Sequence, residues 1–209
     1  MQPEPSPTTA KSPLRLALDT QALIANWRAL DALSGEARAG AAVKADAYGL
    51  GVRAVVPALR NAGCSDFFVA HWIEVPAVAA LIPAESIAVL HGPLTATDAA
   101  FARATGVRPV INSLAQARLW LESGGGPCDL MVDTGINRLG VSMGELGDDT
   151  IARLDVEVLH SHLACADEVS PMNTLQLDRW HEARRHVRCR RASLANSAGI
   201  VLGKLRASR

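Results

Sequence analysis

Beyond residue 40 the sequence alternates short apolar runs with amphipathic stretches, and this rhythm restricts the fold more than any single residue does. The runs are the stretch entering Lys44, then Asp66–Ala70, Ser86–Leu90, Arg108–Ile111, Asp129–Val132, Val156–His162 and Ala192–Ala195. Between them, Val52–Asn61, Ile73–Leu81, Thr95–Thr105, Ser113–Glu122, Met143–Leu154 and Met172–Val187 place apolar residues at helical spacing. Leu14–Leu18 is a further strand candidate. It precedes a helix capped at Asp19-Thr20, carrying Leu23, Ile24, Trp27 and Leu30 on one face and ending at Gly35. Runs apolar on both faces, joined through helices, predict βα units and a parallel sheet with right-handed crossovers. A TIM (β/α)8 barrel needs eight such strands and about 250 residues. Seven are found here, so the expected fold is α/β, an incomplete TIM-type barrel of about seven βα units in 209 residues.

Charge narrows the partners. Lys+Arg and Asp+Glu are both 21, so no basic face is implied, and neither nucleic acid nor an anionic membrane is an expected partner. No run approaches the roughly 20 apolar residues of a membrane span. Cys64, Cys128, Cys165 and Cys189 form no C-x-x-C pair, which favours reduced thiols in a cytoplasmic protein. Met1–Pro13, with four prolines and no apolar core, reads as a disordered leader.

Several side chains fall where barrel chemistry belongs, at the C-terminal ends of strands. In Ala41–Gly51 (AAVKADAYGLG), Lys44 leaves a buried run, and Tyr48 and two glycines follow. Apolar surroundings disfavour an ammonium and free the amine for Schiff-base or general-base work. The plainer alternative is a lysine that snorkels from a strand end. Arg138 lies in the glycine-bounded segment Asp133–Gly140 (DTGINRLG), and its planar fork suits a carboxylate or a phenolic oxygen. His160 and His162 are two apart, on one face of a regular strand. Such a pair can ligate a metal, but no acid-rich cluster beyond Asp167 and Glu168 accompanies it, and no metal is expected. Gly124–Gly126 precedes a strand and opens no helix, so it is a turn, not a phosphate loop. Asn196-Ser197 is, taken locally, a turn after a strand.

AVKADAYG, DTGINRLG, SHLACADE and SLANSAG, in this order and separation, closely resemble the motifs of alanine racemases, a family of fold-type III pyridoxal-phosphate enzymes. The resemblance runs from about Leu14 to Gly203. It implies a racemase barrel domain over residues 14–203 that interconverts L- and D-alanine and so supplies peptidoglycan synthesis. By the same resemblance, Lys44 carries pyridoxal 5'-phosphate and moves the α-proton on one face. Tyr48, Asn196 and Ser197 match phosphate contacts, His162 matches the histidine near the ring, and Arg138 matches the arginine beside cofactor and substrate carboxylate. A homodimer is implied for the family, weakened in this chain.

Two departures accompany the match. Met131 stands where many racemases carry a modified lysine that orients the arginine, so Arg138 must be held otherwise. Residues 204–209 (KLRASR) do not resemble the family, which continues there into an eighth strand and a C-terminal β-domain. Those parts supply a pyridine-nitrogen arginine and a second-face tyrosine, and a truncated, weak or inactive chain is therefore expected. A single-domain cofactor carrier and a non-catalytic fragment are the competing readings.

Overall fold

The computed structural model describes residues 14 and 16–203; the expected leader and the tail 204–209 lie outside the described residues. In chain order the elements are α1 Thr20–Leu33, β1 Ala41–Ala42, the turn α2 Lys44–Tyr48, α3 Val52–Ala62, β2 Phe67–Val69, α4 Val75–Ala79, β3 Ile87–Val89 and α5 Ala96–Thr105. There follow β4 Arg108–Ile111, α6 Leu114–Glu122, β5 Pro127–Asp133, β6 Val141–Ser142, α7 Asp149–Ala152, β7 Asp155–His160, α8 Pro171–His186, β8 Arg191–Ser193 and α9 Ser197–Leu202. All strand pairs are parallel, in the order β1-β2-β3-β4-β5-β7-β8, with the two-residue β6 beside β5. The incomplete barrel expected from the sequence is thus the one observed.

The helix ends follow the sequence signals. Asp19 accepts the backbone N–H groups of Gln21 and Ala22 to start α1, and Thr95 and Ser113 cap α5 and α6 in the same way. Glycines in the left-handed region, Gly63 and Gly106, close α3 and α5.

The strands alternate between two environments, because successive side chains point to opposite faces. Ile111, Leu130, Val132 and Leu159 pack outward with Trp120, Trp180 and Ala183 of the helices. Phe67, Val69, Ile87 and Val89 do the same against α3 and α4. The inner positions hold a small apolar layer of Ala88, Val110 and Met131, with Phe68, Leu90 and Leu139 against it. Beside that layer lies a charged one. Asp129, fully buried, takes Arg108 Nε at 3.2 Å and His160 Nε2 at 3.1 Å. Arg108 reaches on to Asp66 at 3.3 Å, and Arg191 grips Asp66 with both terminal nitrogens at 3.0 Å.

That last pair matters for shape. β1 and β8 are the two ends of the sheet, and no described strand lies between them. A cavity of about 830 Å³ separates Gly40, Asp66 and Phe68 from Val158, His160 and Ala192. Arg191 of β8 and Asp66 before β2 bridge this gap. Burial alone would raise the Asp66 carboxyl, but the hydrogen bonds and charge of Arg191, with Arg108 and Ser65, hold it below the ordinary carboxylate range. A carboxyl lowered on folding stabilises above its unfolded value of about 3.9 and loses that contribution as the pH falls toward its folded value. Melting temperatures measured across acid pH should therefore fall more steeply for the parent chain than for Asp66→Asn. Parallel curves for the two would show that the bridge contributes nothing.

Two expectations are corrected. The described residues of Leu14–Leu18 form no strand, and Leu14 and Leu16 are exposed. β7 stops at His160, so the two histidines do not share one strand face: His160 turns to Asp129 and His162 lies beyond the strand end. The short helix expected within Met143–Leu154 is the four-residue α7, preceded by a 3₁₀ turn at Met143–Glu145.

Candidate active site

Parallel strands end on one rim, and the segments that follow β1, β5, β7 and β8 carry Lys44, Arg138, His162 and Asn196. The run into Lys44 is short. Ala41 and Val43 donate their backbone N–H groups to Asp66 and Phe68 carbonyls at 2.8 Å, and the chain then turns abruptly. Ala45, Asp46, Ala47 and Tyr48 all lie in the left-handed region, with φ of 51°, 52°, 55° and 57°. Such a conformation costs an L-residue roughly 1–2 kcal/mol and ordinarily occurs one residue at a time. Four in succession persist only because surrounding bonds over-determine them. Ala47 N–H reaches the Val43 carbonyl at 2.9 Å, Gly49 reaches Ala45 at 2.9 Å, and the Asp46 carboxylate accepts Val52 N–H at 2.8 Å. Glu74, from the turn after β2, accepts the Ala45 N–H.

The reversed hand brings Lys44 and Tyr48 together, with Lys44 Nζ 5.8 Å from the centre of the Tyr48 ring, within cation–π range. Lys44 is half-buried and Tyr48 exposed. The positive charges of Lys44 and Arg138 are both felt at His162. Burial first, then Arg138 and Lys44, lower the His162 pKa, so the imidazole is favoured neutral between two cations. A neutral imidazole there can give or accept one hydrogen bond without adding a third positive charge.

The Arg138 loop is built by backbone geometry. Asp133 Oδ1 accepts Gly135 N–H at 2.8 Å and Asn137 N–H at 3.1 Å. Gly140, at φ +122°, lies so close to β5 that a Cβ there would sit 2.6 Å from Asp133 N, so no other residue fits. Arg138 itself is exposed and makes no hydrogen bond or ion pair among the described residues. Met131 is buried in the inner apolar layer and offers it nothing.

Gln176 of α8 ties this loop to the His162 segment. Fully buried, its Nε2 donates to Thr134 Oγ1 at 3.1 Å and to the His162 carbonyl at 2.9 Å, while its Oε1 accepts Ala164 N–H at 2.8 Å. Thr134 also pairs with Ser161 at 2.8 Å. Asn196 is the N-cap of α9, its Oδ1 accepting Gly199 N–H at 2.9 Å, and the exposed Ser197 opens that helix.

Among the described residues, Lys44, Tyr48, Arg138 and Ser197 thus spend no side-chain hydrogen bond, on segments that follow strand ends of one rim. An amine, a guanidinium and two hydroxyls suit a phosphorylated aromatic aldehyde bearing a phenolic oxygen. Sequence reasoning did not single out Glu74, whose place before Pro76 looks like ordinary helix initiation. His71 and His91, at the ends of β2 and β3, stack their rings 4.2 Å apart. No spacing rule signals a contact between turns that follow separate strands.

Comparison with known proteins bears on the same residues. The family profile described as alanine racemase, N-terminal domain, matches residues 18–208. The alanine racemase of Rhizobium meliloti is 43% identical over 208 residues, 95% of this chain and 55% of the relative. The biosynthetic alanine racemase of Agrobacterium fabrum is 41% identical over 203 residues, 92% of this chain and 52% of the relative. Among solved structures, alanine racemase from Bartonella henselae with covalently bound pyridoxal phosphate superposes with a TM-score of 0.80 at 32% identity, over 89% of this chain and 57% of that one. The chain spans about half the length of these relatives.

Proposed function

Because the chain belongs to the alanine racemase N-terminal-domain family, we propose that residues 14–203 form the barrel half of a pyridoxal-phosphate-dependent alanine racemase site. The observation that carries this reading is the strained turn that presents Lys44 on the same rim as Arg138 and the neutral His162. Lys44 would hold pyridoxal 5'-phosphate, and its amine would accept or return the α-proton on one face of alanine. Bound there, the cofactor supplies the electron sink that makes the α-proton removable. Tyr48 and Ser197 hydroxyls, with the backbone at Asn196, hold the phosphate. Arg138 orients the substrate carboxylate and the phenolic oxygen, and exposed as it is, it gains its partners only when both are present. His162 lies beside the ring without competing for its charge.

The reaction would supply D-alanine for peptidoglycan in the cytoplasm, and the site would mature in a homodimer. Neutral net charge and the absence, among the described residues, of a helix long and apolar enough to cross a membrane agree with a small-molecule enzyme. To test the reading, pyridoxal phosphate is added to the purified chain, the adduct is reduced with borohydride and the labelled peptide is mapped. The label should fall on Lys44. Label on another lysine with Lys44 free would overturn it, and label on Lys44 with no racemisation under any condition would favour the cofactor carrier.

A further inference from the structure

Why the Lys44 turn holds its unfavourable hand is not explained by its own sequence. Ala45, Asp46, Ala47 and Tyr48 include no glycine, and a right-handed turn would relieve all four. Two bonds to side chains oppose that relaxation. Asp46 fastens the far end to the start of α3 through Val52 N–H at 2.8 Å. At the near end Glu74 Oε1 takes Ala45 N–H, while Glu74 Oε2 takes Ala70 N–H at 2.7 Å and His71 N–H at 2.9 Å. One carboxylate thus staples the residue after Lys44 to the end of β2. We infer that Glu74 is the positioning residue for Lys44, fixing the left-handed turn so that the amine faces Arg138 and His162; this rests on the reading of Lys44 as the cofactor lysine.

The chemistry fits a clamp. A carboxylate has two oxygens and accepts all three N–H groups at once, whereas a neutral amide has one. Although burial alone would raise the Glu74 carboxyl, its backbone bonds to His71, Ala45 and Ala70 hold it below the ordinary carboxylate range. The anion is therefore the form the turn uses. Glu74 sits at the Lys44 end of the turn and touches none of the proposed cofactor contacts, so it acts through the backbone.

The experiment compares the parent chain with Glu74→Gln and Glu74→Ala by amide exchange of the peptide spanning residues 41–51, without cofactor, and by the rate at which pyridoxal phosphate marks Lys44. Loss of one charge-assisted bond should speed exchange at Ala45 about tenfold or more in Glu74→Ala. Glu74→Gln, keeping one acceptor, should fall between the two. Labelling of Lys44 should slow in the same order, while peptides away from the turn and from Ala70–Glu74 exchange as before. A merely structural Glu74 would lower the melting temperature and leave the labelling rate of the folded fraction unchanged, which overturns the inference. Unchanged exchange at Ala45 in both variants overturns it as well, whatever the cofactor does. Should the parent chain label no lysine, the functional reading fails on its own, and the exchange arm still decides whether Glu74 holds the turn.

Discussion

Assayed by itself, the chain is expected to racemise alanine ~10²–10⁴-fold more slowly than a full-length racemase, the loss typical of removing one general acid–base group. Racemisation needs a proton-transfer group on each face of the substrate's α-carbon. The rim provides Lys44 for one face. The resemblance implies a tyrosine for the opposite face, and the single tyrosine of residues 1–209, Tyr48, is the one proposed to hold the phosphate. The physical setting points the same way. Among the described residues no strand lies between β1 and β8, and a cavity of about 830 Å³ lies there, so that end of the barrel gives the interior little shelter from solvent screening. A coupled assay for D-alanine tests this, with a full-length relative as reference. Turnover equal to the reference would show that the second face is served from within residues 1–209. The losses of cooperating groups do not add, so the lower end of the range applies if barrel closure and the second base act as one unit.

The second large effect concerns Gln176. Replacing it by leucine keeps much of the volume but removes a partner of the buried Thr134 Oγ1 and of the Ala164 N–H and His162 carbonyl, both closer to the surface. An unsatisfied buried polar group costs about 1–3 kcal/mol. Thr134 retains Ser161, and the other two groups are within reach of water, so the loss is roughly 2–3 kcal/mol. For a chain of this size that corresponds to a fall in melting temperature on the order of 10 °C. The consequence for the site is specific, because Gln176 joins the turn after β5 to the segment after β7. Its removal frees the Arg138 loop from the His162 backbone, and labelling of Lys44 should suffer less than binding of the substrate carboxylate. A Gln176→Leu chain melting within about 2 °C of the parent would contradict the network's importance.

The strand–helix alternation was legible because a sheet covered on both faces demands apolar residues at nearly every strand position. β2 through β5 were placed to within a few residues for that reason. Caps at Asp19, Thr95 and Ser113 were legible for an equally local reason: an oxygen one side chain away satisfies the orphan N–H groups of the first turn. Leu14–Leu18 misled because a short apolar run is compatible with a strand but does not by itself specify one. The histidine pair misled because the end of β7 is set by where its ladder to β8 stops, not by its own residues.

The sequence by itself determined the parallel α/β fold, the seven principal strands and the rim on which Lys44, Arg138, His162 and Asn196 lie, since strand direction alone fixes which ends share a side. Tertiary structure decided the rest. The hand of the turn after β1, four left-handed residues without a glycine, follows from the grip of Glu74 and Asp46 and from nothing in its own propensities. The state of His162 follows from its burial and from two cations carried by segments after other strands, and the gap between the sheet's ends is bridged by a charge pair 125 residues apart in the chain, Asp66 with Arg191. Propensity and periodicity act over a few residues, whereas these contacts exist only once the strands have assembled, and the physics that selects them is the pairing of charges and backbone donors across the assembled rim.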